Sequence, residues 1–272
     1  MTSFVSDFFT LDFIQRAFIG GILISLCSAL LGISLVLKRY SMIGDGLSHV
    51  GFGALAVATA IGFTPMYVAI PVVIIAAFFL LRIRDNGKIK GDAAIALIST
   101  AALAFGVTVI SFSSGANTDV YNYMFGSILA LSESDIRLII IISITVLIMY
   151  IFFYSKIFAV TFDETFARAT GIKTEIYNML IAALSAVVIV VGMKMMGAML
   201  ISSLIIFPSL TAMRIFKTFR NVIIASSIIS VLCFITGMFV SIILNTPVGA
   251  SIVIVNVIIF CLFTIIEKII SK

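Results

Sequence analysis

The sequence predicts an all-α, polytopic membrane protein. It reads as a single transmembrane domain over residues 1–272, with about nine transmembrane helices, the N-terminus outside and the C-terminus cytoplasmic. Three observations lead there. Hydrophobic residues make up 62% of the chain and the mean hydropathy is +1.30. Charged residues make up 11%, against about 25% in a soluble domain. Apolar runs of the roughly 20 residues that a helix needs to cross a bilayer follow one another along the chain, and the basic residues between them sort to one side.

The first span covers residues 17–37 and is closed by Lys38-Arg39. The second carries the stretch 39–53 and ends near residue 63, where Thr64-Pro65 turns the chain. A third span runs to residue 81. Residues 82–92 then form the most basic loop, and a fourth span covers 93–112. Residues 113–135 are mixed. Their apolar part, 120–131, is too short to cross, so a short re-entrant or interfacial helix is expected there, with Tyr121 and Tyr123 suited to an interface. The fifth span covers 138–154.

Residues 155–175 are polar and centre on a short helix. It has Asp163 and Glu164 in the first turn, Arg168 later, and Gly171 placed as a stop. The sixth span is 176–192, turned by Met193-Lys194-Met195-Met196. The seventh, 197–213, contains Pro208 and leads to a basic loop at 214–220. The eighth covers 222–244, Asn245-Thr246-Pro247 turns, and the ninth covers 248–266 before a tail at 267–272. One misplaced boundary would leave eight spans.

With the N-terminus outside, only Arg16, Arg137 and Lys194 of the 17 basic residues fall outside. A bias this strong sets the orientation. The pI of about 9.2 then reflects cytoplasmic loops facing anionic lipid in a cell membrane, as in the bacterial plasma membrane, and not nucleic acid. The first fifteen residues carry Asp7 and Asp12 and no Lys or Arg, so no cleavable signal peptide is expected. Cys27, Cys233 and Cys261 lie in apolar runs without a CxxC spacing and read as packing residues.

Chemistry concentrates in the second span. His49 is the only histidine of the chain and Asp45 precedes it by one helical turn, so both point from one face. At 1.5 Å per residue from Arg39, His49 lies roughly 15 Å into the bilayer. An aspartate at such a depth costs roughly 2.5–3.5 kcal/mol and is retained for a pair, a pathway or a site. Three readings stand on the residues alone: a self-contained Asp–His hydrogen bond between helices, a proton relay, or a pathway for a divalent metal, for which carboxylate and imidazole are both ligands. Gly44, Gly46, Gly51 and Gly53 leave room beside the pair for another helix or an ion.

Other features are weaker. Pro208 removes a backbone hydrogen bond inside a span, and Ser202, Ser203, Ser209 and Thr211 surround it. This marks either helix packing or a pathway lining. Lys194 either snorkels to the outer surface or makes a gate contact. Asp119, Glu133 and Asp135 make the outer face acidic. The twelve methionines are core or lipid-facing.

Beyond composition, Arg39-x-x-x-x-Gly44-Asp45-x-x-x-His49 resembles the signature of the membrane permeases of ABC-type zinc, manganese and iron importers. Further segments are similar in order along the chain. They are Asp119-Val120-x-x-Tyr123-Met124-Phe125-Gly126-Ser127-Ile128-Leu129-Ala130; Asp163-Glu164-x-Phe166-Ala167-x-x-x-Gly171-Ile172; Gly192-Met193-Lys194-x-x-Gly197-Ala198-x-Leu200-x-x-Ser203-Leu204-x-x-x-Pro208; and Asn245-Thr246-Pro247-x-Gly249. Ser209 departs from the alanine more usual there.

The resemblance implies two permease copies around a central pathway. It implies a cytoplasmic ABC ATPase dimer that drives alternating access, and an extracytoplasmic metal-binding protein that delivers the ion. It carries metal contact onto Asp45 and His49. Coupling to the ATPase falls on Asp163, Glu164, Phe166, Ala167, Arg168 and Gly171. Arg39, Gly44, Lys194, Ser203 and Pro208 are pathway or gate candidates. The cargo would be Mn, Zn or Fe, with no permanently bound cofactor.

The residues agree with that division of labour. There is no GxxxxGK[ST] run, so ATP hydrolysis belongs to a separate subunit and this chain is not expected to be an enzyme. A GxGD protease would need glycine at position 42, where Met42 stands, and no GxSG run is present. The rival readings are a proton-coupled secondary metal transporter and a permease for a metal chelate.

Overall fold

The protein is described by a computed structural model, in which residues 12–86, 91–112, 124, 126 and 132–270 are described. Among them are eleven helices and no strand. These are α1 (Asp12–Leu37), α2 (Ser41–Ile61), α3 (Pro65–Asn86), α4 (Gly91–Phe112), α5 (Glu133–Phe152), α6 (Tyr154–Phe162), α7 (Glu164–Ala169), α8 (Thr174–Met196), α9 (Ala198–Ile215), α10 (Phe219–Leu244) and α11 (Val248–Ile270).

Seven of them, α1, α3, α4, α5, α8, α10 and α11, are long and apolar enough to cross a membrane. α9 is apolar over the shorter stretch Leu200–Ile215, and α2 is interrupted by Asp45, His49 and four glycines. α1 and α8 form the centre: 72% of each is buried, against 22–39% of the other apolar spans. Close packing brings the surrounding helices in. A Cβ on Gly32 of α1 would lie 2.0 Å from the Ile205 carbonyl oxygen, so α9 rests directly on α1 beside Pro208. Ser230 of α10 donates to the Ser25 carbonyl of α1 at 2.8 Å.

Several boundaries differ from the sequence expectation, each for a local reason. α5 begins at Glu133, not near 138, because Ser132 and Asp135 form a capping box: the Asp135 N–H donates to Ser132 Oγ at 3.2 Å, and the Ser132 N–H donates to Asp135 Oδ2 at 3.0 Å. The polar stretch after residue 154 holds a second helix ahead of the short one expected at its centre. α6 continues to Phe162, and Phe158 packs on Phe219 with ring centroids 5.0 Å apart. Met193–Met196 do not turn the chain. α8 runs through them, and the turn falls on Gly197, whose φ 87, ψ 157 suits glycine alone. Residues 267–270 continue α11 and do not form a loose tail, and Glu267 accepts from Arg214 at 3.2 Å.

Most of the expected short helix at 120–131, and Asp119, lie outside the described residues, as does part of the basic loop at 82–92. Gly126 is described and lies against the Met196–Gly197 turn. The ion pairs join residues from the same ends of the spans: Arg16 with Glu133, Lys194 with Asp135, Lys38 with Glu164, and Arg214 with Glu267.

Candidate functional site

α2 is surrounded on three sides by its own chain. A Cβ on Gly46 would meet Ile95 of α4 at 2.6 Å, and one on Gly53 would meet the Ala102 carbonyl oxygen at 2.7 Å. Gly51 faces Met193 of α8 and Val73 of α3, and Gly44 faces Ile205 of α9. The glycines therefore admit neighbouring helices, and the space the sequence left open for an ion beside them is filled. One side of α2 stays uncovered. Met42, Asp45 and His49 lie along it at helical spacing, with Met42 55% exposed and the Asp45 and His49 side chains 48% and 28% exposed.

Asp45 Oδ2 and His49 Nε2 are 3.7 Å apart. That is too long for a hydrogen bond, so the pair does not satisfy itself. It is shorter than the roughly 4.2 Å that two metal–ligand bonds of about 2.1 Å can span, so one ion fits between the two atoms. Among the described residues no cluster of three or more His, Cys, Asp or Glu surrounds them. One chain thus offers two candidate ligand groups, fewer than the four to six that a divalent transition-metal ion takes.

The other candidates are placed elsewhere. Arg39 is exposed in the three-residue link between α1 and α2, with φ 59. Lys194 does not snorkel. Its Nζ donates to Asp135 Oδ1 at 2.6 Å, and both side chains are largely buried, because α5 offers a carboxylate at the same depth. Pro208 lies inside α9. Around it, Ser202 Oγ and Thr211 Oγ1 donate to carbonyls of their own helix, Ser209 is packed against α1 and α10, and the buried Ser203 hydroxyl has no partner among the described residues.

The polar segment before α8 is built as a knob. Asp163 caps α7, accepting from the Phe166 N–H at 2.9 Å, and Gly171, at φ +85, ends it. Ala167 is buried and anchors it, while Phe162 and Phe166 stand 69% and 66% exposed. Glu164 faces inward. It accepts from Lys38 Nζ at 3.0 Å, from Asn178 Nδ2 at 3.1 Å and from Arg168 at 3.4 Å. Burial would raise its carboxyl, but the hydrogen bonds from Lys38 and Asn178, with the Lys38 and Arg168 charges, outweigh that and hold it below the ordinary glutamate value. Lys38 and Asn178 were not singled out as site residues from sequence. The only signal was an amide in the first turns of an apolar span.

Comparison with known proteins adds to this geometry. The ABC 3 transport family profile matches residues 10–267. The manganese import system permease protein ScaB of Streptococcus gordonii is 30% identical over 257 residues, covering 94% of this chain and 92% of its own. The high-affinity zinc uptake system membrane protein ZnuB of Haemophilus influenzae is 29% identical over 246 residues, covering 90% and 94%. Among solved structures, PsaBC from Streptococcus pneumoniae in complex with Fab superposes with a TM-score of 0.87 at 27% identity, over 96% of this chain and 94% of that one.

Proposed function

The chain belongs to the ABC 3 transport family, as a multi-pass permease of the cell membrane, and from that we propose that it is the transmembrane subunit of an ATP-driven importer of divalent transition-metal ions. The open Asp45–His49 face on a membrane helix carries this reading. A half-exposed carboxylate in a span needs water, a partner or an ion, and this one has an imidazole 3.7 Å away and no cluster of three or more His, Cys, Asp or Glu around it among the described residues. A second copy presenting the same face doubles the set to two carboxylates and two imidazoles. α2 and α9 join the seven apolar helices as spans, giving nine, with the N-terminus outside.

In this mechanism an extracytoplasmic binding protein releases the ion to the outer mouth. The ion sheds water as Asp45 and His49 take it up, with both ligands deprotonated. An ATPase dimer docks on the knob formed by Phe162, Phe166 and the exposed turn around Asp163. Its cycle moves α7 and opens the path inward. The cargo is Mn, Zn or Fe. The named relatives favour the first two, and carboxylate with imidazole suits all three.

The test is uptake into vesicles holding the permease, its ATPase and its binding protein, with Mn, Zn and Fe in competition. ATP-dependent accumulation of one or more of them is expected. Uptake that persists without the ATPase would replace this reading with a proton-coupled carrier.

A further inference from the structure

Lys38 stands at the meeting point of the two functional regions. Its side chain is 6% exposed, an unusual position for a lysine at the end of a span. Nζ donates to Glu164 Oε2 of α7 at 3.0 Å and to Asn178 Oδ1 of α8, and it lies 5.7 Å from the centroid of the Tyr40 ring. Asn178 in turn donates to Glu164 Oε1 at 3.1 Å, closing a triangle of three side chains, one from the turn that leaves α1, one from α7 and one from α8.

The backbone that follows Lys38 is short and stiff. The link between α1 and α2 is Lys38-Arg39-Tyr40, held by N–H donations to the Ser34, Val36 and Leu35 carbonyls at 3.1, 3.0 and 2.7 Å. Arg39 takes a left-handed backbone (φ 59) that a residue with a side chain enters seldom. Tyr40 is buried, and its carbonyl accepts from the Ile43 N–H of α2 at 2.9 Å. Asp45 follows five residues later, about 7.5 Å along the helix axis. A link this constrained passes a displacement on to α2, where a flexible loop would absorb it. A cleft of about 890 Å³ borders Glu164, Arg168 and Asn178 and is walled by Ile75, Phe79 and Arg82 of α3, so the knob has room to shift.

We propose that Lys38 is the positioning residue through which movement of α7 reaches the Asp45–His49 face of α2. The Glu164–Lys38–Asn178 triangle is the joint, and Arg39-Tyr40 is the rigid lever. This rests on reading α7 as the ATPase contact.

The experiment uses proteoliposomes containing the full permease, ATPase and binding protein, and reads metal moved per ATP hydrolysed. Lys38→Gln assemblies are expected to form and to hydrolyse ATP while that ratio falls about tenfold. Pairing Lys38→Glu with Glu164→Lys should recover most of it, a rescue that a purely structural lysine would not show in this ratio. If Lys38→Gln fails to assemble, Asn178→Leu breaks the same triangle and should lower the same ratio. An unchanged ratio in the variant that assembles, or a charge swap no better than Lys38→Glu alone, overturns the proposal. Wild-type assemblies that move no metal on ATP overturn the importer reading instead.

Discussion

Lys194 near the end of α8 and Asp135 at the start of α5 are joined at 2.6 Å, with side-chain exposures of only 19% and 12%. Nothing else on α8 carries charge at that end, so the pair ties the central helix to α5 where the chain returns from its mixed segment. Removing Lys194 leaves a largely buried carboxylate whose remaining donors are the Ser132 N–H and hydroxyl, and breaking a buried pair in this way costs about 3–5 kcal/mol. Lys194→Ala should therefore lower the thermal midpoint of the detergent-solubilised permease markedly, followed by size-exclusion after heating. Lys194→Met combined with Asp135→Asn, which removes both charges and keeps an acceptor for the Ser132 N–H, should lie closer to wild type.

Asp45→Asn and His49→Gln keep the size of each side chain and weaken or remove its role as a ligand. Each should cut metal uptake by about 100-fold or more, because even loss of outer-shell support costs 10- to 100-fold in metal sites. Assembly with the ATPase should be unaffected, since the two side chains stand on the uncovered face of α2. Normal uptake by either variant, measured with radioactive Mn or Zn, would remove that residue from the pathway.

The glycines of α2 should separate by neighbour. At Gly53 a methyl group would lie 2.7 Å from a backbone oxygen of α4, so Gly53→Ala should destabilise by about 1–3 kcal/mol. At Gly44 the nearest atom is the end of the Ile205 side chain at 3.7 Å, an ordinary contact, and Gly44→Ala should retain near-normal stability. Thermal melts of the two variants side by side check this.

The knob should depend on its cap. Asp163→Ala removes the acceptor for the Phe166 N–H and costs α7 about 1 kcal/mol. A helix of six residues has little else to hold its shape, so weaker capture of the ATPase subunit is expected in pull-downs, with the permease still folded.

The pH response follows from Glu164. Its carboxyl is held below the ordinary 4.5, so the Lys38–Glu164 interaction adds stability at and above the ordinary value and is lost as the pH falls through the lowered one. The destabilisation caused by Lys38→Gln should therefore be constant between pH 8 and about pH 5 and shrink only below about pH 4.5.

Much of the fold was legible in sequence because membrane helices announce themselves by length and apolarity. The shared face of Asp45 and His49 followed from spacing alone, and α7 from an acidic cap and a glycine stop. What was not legible depends on distant neighbours. Lys38 meets Glu164 and Asn178 across 126 and 140 positions, and Lys194 meets Asp135 across 59, so neither burial has a local signature. The glycines marked close approach but not which helix approaches. Residues 155–175 read only as a polar stretch with one short helix at its centre, while the surface on which α6 packs, Phe219, belongs to another span.

The composition of α2 also bears on how the protein is made. It is the helix that carries Asp45 and His49, yet it is not among the seven that qualify as spans on their own length and apolarity. During synthesis it must enter the bilayer as the second arm of a hairpin with α1, to which it is tied by three residues, or wait for α3. Biogenesis is thus most exposed to error at this helix. Substitutions that make its open face more apolar should raise yield in the membrane even as they abolish transport.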